Sequence, residues 1–173
     1  LILLSLVLRR FTRFDAGREA IQKLAMIATY AVVINIFFVL MEFFTVFYAG
    51  IPEHTLHFRY LYFGLDGHAE LVPFMWFAAA LILLAAVLLV NPRTRGRENV
   101  LAFACIAVVV SIWIEKGLGM VVAGFVPSPL GTVAAYVPTL PEVLIGLSIY
   151  AFGALLVTGF YKMTLSVRGE LSN

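Results

Sequence analysis

The sequence predicts an all-α membrane protein, an up-down four-helix transmembrane bundle that is preceded by the end of an upstream helix. Composition is the first reason, because hydrophobic residues make up 62% of the 173 residues and charged residues only 13%. A soluble domain carries roughly 25% charged residues. The second reason is four apolar stretches that approach or exceed the ~20 residues needed to cross a hydrocarbon core. These stretches cover residues 24–49, 71–90, 100–125 and 143–161.

The segments outside these stretches complete the expected organisation. Residues 1–8 are apolar, but as a helix they would rise only ~12 Å and would not span. They also lack the charged region and cleavage site of a signal peptide, so we expect the end of a truncated upstream transmembrane helix. A basic loop follows at 9–23, the bundle occupies 24–165, and residues 166–173 form a tail.

Lysine and arginine residues predict the orientation. The chain has 12 of them, and all except Arg59 and Lys116 lie before the first full helix, between the second and third, or after the fourth. The positive-inside rule makes that side of the membrane cytoplasmic. We therefore expect the loop 9–23, the turn 91–98 and the tail 166–173 in the cytoplasm, and the loops 51–69 and 126–141 outside.

Several functional classes do not fit this chain. The net charge is only +2 and no basic cluster is interleaved with base-reading residues, which argues against nucleic-acid binding. Cys105 is the single cysteine, so the chain offers neither a disulfide nor an iron–sulfur site. The three histidines fall in or beside the first outer loop, whereas a transmembrane haem needs histidines within helices. His54 and His57 have only Glu53 beside them, which is a weak metal pattern.

The most unusual residues are charged side chains at membrane depth. Such groups cost ~2.5–3.5 kcal/mol each on insertion scales, so they usually face a protein interior and mark a pathway. Glu42 lies eight residues before Gly50, near the expected outer end of the first helix. Glu115 and Lys116 lie nine and eight residues before Gly124. All three are therefore expected ~12 Å below the outer helix ends, and we expect any chemistry on the extracytoplasmic side.

Some of the acidic residues have a simpler structural explanation. Thr139-Leu140-Pro141-Glu142 fits a capping box in which Glu142 reaches back from the third helical position. Glu70 is expected in the first turn of the second helix, where the helix dipole favours a carboxylate. Lys116 is long enough to extend its ammonium group outward along an apolar surface. Glu42 has no capping role, so a functional role is favoured for it.

Small residues predict which helix faces pack together. On the third helix they recur with Glu115 at three- and four-residue steps, so Glu115 is expected to face neighbouring helices rather than lipid. Consecutive helical residues point about 100° apart, so Glu115 and Lys116 are not expected to pair with each other. The stripes are Ala104, Ala107, Ser111, Glu115 and Gly119 on the third helix, and Gly146, Tyr150, Gly153 and Val157 on the fourth. A phenylalanine-rich run around Glu42 is typical of packing or lipid-facing surface, and would also suit a flat ring.

Three segments of the sequence resemble the NrfD/PsrC family of membrane subunits. They are WIEKGLGM at 113–120, GFVPSPLG at 124–131 and YVPTLPE at 136–142, which combine an intramembrane Glu-Lys, a proline-studded outer loop and a Pro-Glu helix start. The chain looks most similar to the C-terminal part of the longer members typified by DsrP, HmcC and HybB. The matching motif residues are Glu115, Lys116, Pro141 and Glu142.

The resemblance implies a multi-pass subunit of a respiratory redox complex in a bacterial or archaeal cytoplasmic membrane. Such a subunit exchanges electrons between menaquinone or ubiquinone and an extracytoplasmic iron–sulfur partner, and binds no haem or cluster itself. In this interpretation Glu42 and Glu115 relay protons, while Lys116 tunes their charge. His68, Tyr136 and Glu142 are candidates for the edge of a quinone headgroup site. A small transporter or ion-conducting bundle, and a purely anchoring subunit, are the alternatives.

Overall fold

The structure is a computed structural model that describes residues 1–11, 17–119 and 139–170. These residues are helical apart from short turns, and four of their helices are long and apolar enough to cross a membrane. The prediction of an all-α chain with four candidate spans is confirmed, which indicates a multi-pass membrane protein. The spans are Arg18–Ala49, Val72–Val90, Glu98–Gly119 and Leu140–Ser166. The chain divides into two units, Leu1–Ala134 and Ala135–Asn173, which we describe separately.

The first unit begins with helix α1 (Ile2–Phe11) and the long helix α2 (Arg18–Ala49). Both helices extend into the predicted basic loop 9–23, of which residues 12–16 lie outside the described part. Helix α2 ends at Gly50, whose φ of 63° places it in the left-handed conformation that glycine adopts without a side-chain clash.

A third helix, α3 (Pro52–Tyr62), occupies most of the outer segment that we predicted to be a loop. Pro52 begins it, since proline fits the first helical turn, where no backbone donor is needed. Tyr60, Leu61 and Tyr62 at its C-terminal end are buried. The segment is therefore packed structure rather than a simple connection.

A tight turn joins α3 to helix α4 (Val72–Val90). Leu65 and His68 exchange both backbone hydrogen bonds around Asp66-Gly67, where both turn residues have positive φ. Asp-Gly is well suited to such a turn. Because α4 begins only at Val72, the prediction that Glu70 lies in the first turn of this helix is wrong.

Helix α4 continues through the short helix α5 (Pro92–Arg95) into α6 (Glu98–Ile112), which becomes a π-helical segment at Trp113–Gly119. The side chain of Asn91 accepts a hydrogen bond from the Arg93 backbone N–H, which caps α5. The third apolar stretch was expected to run to residue 125, and its residues beyond 119 lie outside the described part.

Helix α6 packs closely against α4 through the small-residue stripe that the sequence predicts. Ala104, Ala107, Ser111 and Gly119 are all buried. The Ser111 hydroxyl donates to the Ala78 carbonyl over 2.7 Å, and the Thr29 hydroxyl of α2 donates to Leu89 of α4 over 3.3 Å. These contacts hold α2, α4 and α6 together in one unit.

The basic termini of the helices meet at one end of this unit. Arg9 forms an ion pair with Glu98 at 2.7 Å, Arg18 donates to the Gly96 carbonyl, and Gln22 donates to the Arg95 carbonyl. The C-terminal end of α1 and the N-terminal end of α2 therefore lie beside the α4–α6 connection, which agrees with the predicted location of these basic segments on a single face of the membrane.

The second unit contains helix α7 (Leu140–Glu170). The Glu142 carboxylate accepts a 2.7 Å hydrogen bond from the Thr139 backbone N–H, as the predicted capping box requires. The helix is longer than the predicted span, and its backbone continues into the segment that we expected to be a tail.

Candidate functional site

The candidate site begins where α6 changes to a π-helix. Such segments are rare and frequently occur at functional sites. Here the Glu115 carboxylate and the Lys116 ammonium group form a 2.8 Å ion pair, so the expectation that these neighbours would not pair is wrong. The wider π-helical turn alters the angle between consecutive side chains, and the flexible stem of Lys116 allows its ammonium group to reach back.

The two members of this pair differ in exposure. The Glu115 side chain is 14% exposed and that of Lys116 is 43% exposed. Glu115 therefore faces the interior of its unit, as its place in the small-residue stripe predicts. Removing a carboxylate from water is costly without a partner, so the ammonium group offsets part of that cost.

Glu115 and Lys116 line a cavity of about 440 Å³ that we call the polar cavity. Its walls come from α2, α3, α4 and the π-helical segment. Glu42 of α2 lies on the same cavity, although its side chain is exposed, and α3 contributes His54 and His57. The three residues predicted to relay protons or tune charge are thus brought together around one volume.

Aromatic rings form the wall beside these charges. The ring centroid of Phe43 lies 4.9 Å from that of Phe58 and 4.7 Å from that of Tyr62, both in edge-to-face geometry. Tyr62 also meets Trp76 edge-to-face at 6.0 Å. Such pairs stabilise packing beyond the area they bury, so this wall is firmly positioned. Phe37, Phe38 and Phe44, by contrast, are exposed in this unit.

The pKa of Tyr62 is affected by its burial and by the charges around the polar cavity. Burial raises the pKa of its phenol to about 12, and the nearby carboxylates of Glu115 and Glu42 add to the increase. A group that responds to both carboxylates lies within the field of each one. The Tyr62 side chain therefore lies near both predicted relay residues.

A second volume of about 330 Å³, the apolar cavity, lies between α2 and α4. The two volumes are neighbours, because they share five lining residues, Val39, Phe43, Tyr62, Met75 and Glu115. Apart from Glu115, its polar lining residues are Asn35, the hydroxyl-bearing Tyr62 and Trp76, whose indole N–H donates to the Tyr62 carbonyl.

Two buried donor or acceptor atoms on these cavities lack a hydrogen-bond partner within residues 1–11, 17–119 and 139–170. They are Nδ2 of Asn35, on the apolar cavity, and Nδ1 of His57, on the polar cavity. An unsatisfied buried polar atom is costly, and each such atom in a native structure needs an explanation. Both atoms have less than 1 Å² of accessible surface, so neither is exposed to the cavity that its residue lines.

The other predicted site residues lie elsewhere. His68 approaches Glu70, with Nδ1 3.3 Å from Oε1, at the turn before α4, and it lines neither cavity. A backbone hydrogen bond and then the His68 hydrogen bond lower the pKa of the exposed Glu70 carboxyl. Glu142 is in the second unit, where it caps α7. Tyr136 lies outside the described residues.

Sequence reasoning missed the contribution of α3. His54, His57, Phe58, Leu61 and Tyr62 all line the polar cavity. Their spacing is that of one face of an amphipathic helix, with steps of three and four residues. That pattern was present in the sequence, but we predicted a loop because the segment contains several polar residues.

No family model, no curated protein and no solved structure matches this chain. The assignment of a function therefore depends on the site itself and on the resemblance of its short motifs.

Proposed function

We propose that this chain is an integral membrane subunit of a respiratory redox complex. It exchanges electrons between the quinone pool of a bacterial or archaeal cytoplasmic membrane and an extracytoplasmic iron–sulfur subunit, and it transfers protons through intramembrane carboxylates. In this proposal α7 completes an up-down four-helix bundle with α2, α4 and α6. The observation that carries the proposal is the convergence of Glu42, Glu115 and Lys116 on one cavity walled by aromatic rings.

The residues present suit a quinone. A quinone supplies a flat ring with two carbonyl oxygens, and its reduced form releases two electrons and two protons on oxidation. Cavities of about 300–1,000 Å³ with apolar walls and few polar groups are typical of small-molecule sites. Both volumes fall in that range, and Phe43 and Tyr62 give them flat apolar walls. Glu115 and Tyr62, which line both volumes, carry suitable hydrogen-bonding groups.

Glu115 and Glu42 have separate roles in proton transfer. Glu115 accepts a proton inside the unit, held in place by its ion pair with Lys116. Glu42, on the same cavity but exposed, passes a proton towards the outer surface. Electrons leave to the iron–sulfur partner, because one cysteine cannot ligate a cluster.

The test is quinol oxidation by the purified complex carrying Glu42→Gln. Glutamine retains the shape and hydrogen-bonding capacity of glutamate but cannot exchange a proton, and losing a proton-transfer group typically lowers the rate ~10²–10⁴-fold. The matched control is Glu19→Gln, which neutralises an exposed carboxylate near the opposite end of the same helix. Subunit stoichiometry, measured on the same samples, should be unchanged in both variants.

Wild-type turnover in Glu42→Gln would contradict the proton-relay role. Ion or solute flux through the purified protein in liposomes, without quinone or a redox partner, would instead support the transporter interpretation, which paired intramembrane charges also permit.

A further inference from the structure

The end of the first unit where α1, α2 and the α4–α6 connection meet carries more positive charge than its described carboxylates balance. Both of those carboxylates already have partners, Glu98 in the pair with Arg9 and Glu19 in the pair with Lys23. The other arginines at this end form no ion pair with any carboxylate that the structure describes. We call them the basic surface, and they are Arg10, Arg18, Arg93, Arg95 and Arg97.

Contacts between the helices bring several of these arginines together. The Arg9–Glu98 ion pair, at 2.7 Å, joins the end of α1 to the start of α6, so Arg10 and Arg97 each adjoin a member of the pair. Arg18 donates over 3.3 Å to the backbone carbonyl of the residue that precedes Arg97. Like charges held close together repel one another, so an anion that binds among them is favoured.

The start of α6 adds to this attraction for an anion. Arg97 is the N-cap residue of the helix, and its side chain makes no capping hydrogen bond. The first N–H groups of a helix have no partner in the helix itself, and with the helix dipole they favour a negatively charged group. Glu98 supplies one such group in the first turn, but its carboxylate is already paired with Arg9.

Exposed apolar side chains lie next to the basic surface. Val7 of α1 is 51% exposed and comes three residues before Arg10, and Val90 of α4 is 55% exposed and comes three residues before Arg93. An acidic protein or a free phosphate would contact the arginines but not these membrane-facing valines. A phospholipid has both parts, a phosphate for the arginines and acyl chains for the hydrocarbon side chains.

We propose that the basic surface binds the phosphate of an anionic phospholipid, whose acyl chains lie along the exposed apolar side chains of α1 and α4. Guanidinium groups suit this ligand, because their paired N–H donors match the geometry of a phosphate. By the positive-inside rule the lipid belongs to the cytoplasmic leaflet, whose anionic lipids attract basic segments beside a membrane span. The inference does not depend on the proposed redox function.

The test is a titration of the purified, delipidated full chain in a neutral detergent with dioleoyl phosphatidylglycerol, followed through the thermal unfolding midpoint. A ligand that binds only the folded protein raises this midpoint according to its concentration and its dissociation constant. Dioleoyl phosphatidylcholine has the same acyl chains without net charge, and glycerol phosphate has the charged group without chains. We expect a saturable rise with phosphatidylglycerol and little change with either of these controls.

Variants of the basic surface give the expected magnitude. Arg97→Gln should weaken the affinity for phosphatidylglycerol about fivefold, the contribution of one basic side chain at an anionic surface, and Arg10→Gln/Arg97→Gln roughly 25-fold. Both side chains are exposed and make no hydrogen bond with the described residues, so these changes remove no internal contact there. Arg59→Gln, which neutralises an exposed arginine on α3, is the matched control and should bind as the wild type does.

The salt dependence of the wild type decides the question if the double variant does not fold. Raising the salt concentration from about 0.1 M to about 1 M shortens the Debye length from ~10 Å to ~3 Å. This should weaken the binding of phosphatidylglycerol severalfold, and an affinity that does not change would overturn the proposal.

Three results of the titration would also overturn the lipid site. Equal stabilisation by phosphatidylcholine would assign binding to the apolar side chains alone. Equal affinity for glycerol phosphate would assign the surface to a free anion, and tighter binding of an oligoglutamate peptide would assign it to an acidic protein. Wild-type affinity in Arg10→Gln/Arg97→Gln would likewise reject the basic surface as the site. The redox proposal is tested separately, by the turnover of Glu42→Gln.

Discussion

Glu115 and Lys116 show how one local change in helix geometry alters the chemistry of a site. In the π-helical segment they pair at 2.8 Å, and the less exposed member is the carboxylate. The pair therefore places a charged acceptor inside the unit while its positive partner remains half exposed.

We predict that this pair is energetically coupled. Lys116→Met should destabilise the protein more in the wild type than in a Glu115→Gln background, by about 1 kcal/mol, because the ammonium group is 43% exposed and solvent weakens the interaction. The measurement is a double-mutant cycle of unfolding free energies in mixed micelles. The exposed Glu19–Lys23 pair is the control and should couple by about 0.3–0.5 kcal/mol. Equal coupling in both pairs would show that burial adds nothing at Glu115.

The raised pKa of Tyr62 predicts that the stability of the protein depends on pH. Its pKa is raised from 10.0 to about 12 in the folded state, so the folded protein holds the phenolic proton more tightly than the unfolded chain. The resulting stability is fully present below pH 10 and is lost as the pH rises through about 12. Wild-type unfolding midpoints should fall more steeply over this range than those of Tyr62→Phe. Tyr48→Phe, at an 82% exposed position, is the control and should follow the wild type.

At the scale of elements, the packing of α6 on α4 fixes the position of the π-helical segment. A Cβ added at Gly119 would lie 3.4 Å from Cε of Met75 on α4, whereas the nearest described atom to one added at Gly117 belongs to Trp113 of its own segment, at 4.0 Å. Gly119 is therefore the point of close approach, and Gly117 is not.

Gly119→Leu should consequently destabilise the protein by ~1–3 kcal/mol through overpacking, while Gly117→Leu should have a smaller effect. Gly119→Ala should be tolerated, because 3.4 Å is an ordinary contact distance. Thermal unfolding of the three purified variants provides the measurement. A larger loss for Gly117→Leu than for Gly119→Leu would contradict the packing described here.

For the whole molecule, the two ends of the first unit differ in chemistry. One end carries the Arg9–Glu98 pair and the Arg18 and Gln22 hydrogen bonds to the α4–α6 connection. The other end carries α3 and the polar cavity. The basic end is expected in the cytoplasm by the positive-inside rule.

Cysteine labelling tests this orientation. In a Cys105→Ala background, Arg93→Cys and Arg59→Cys each remove one exposed arginine, so they form a matched pair. A membrane-impermeant maleimide applied to intact cells should label position 59 and spare position 93 until the membrane is opened. Labelling of position 93 from outside would contradict this orientation and would show that the polar cavity lies on the cytoplasmic side.

The sequence by itself determined the features that depend on composition and on neighbouring residues. Four spans follow from runs of apolar residues long enough to cross a bilayer, and the capping box at Thr139 and Glu142 needs only a three-residue spacing. The small-residue face of α6 was equally predictable from the sequence, since helical periodicity is a local property.

Only the tertiary structure decided which of these faces meet. The Glu115–Lys116 pair depends on a π-helical turn, and the shared cavity of Glu42 and His57 depends on α3 folding back beside α2 and α4. The shared cavity requires contacts between residues far apart in the chain, where sequence periodicity fixes a helix face but not the partner that covers it, whereas the Glu115–Lys116 pair arises from a local change in helix geometry.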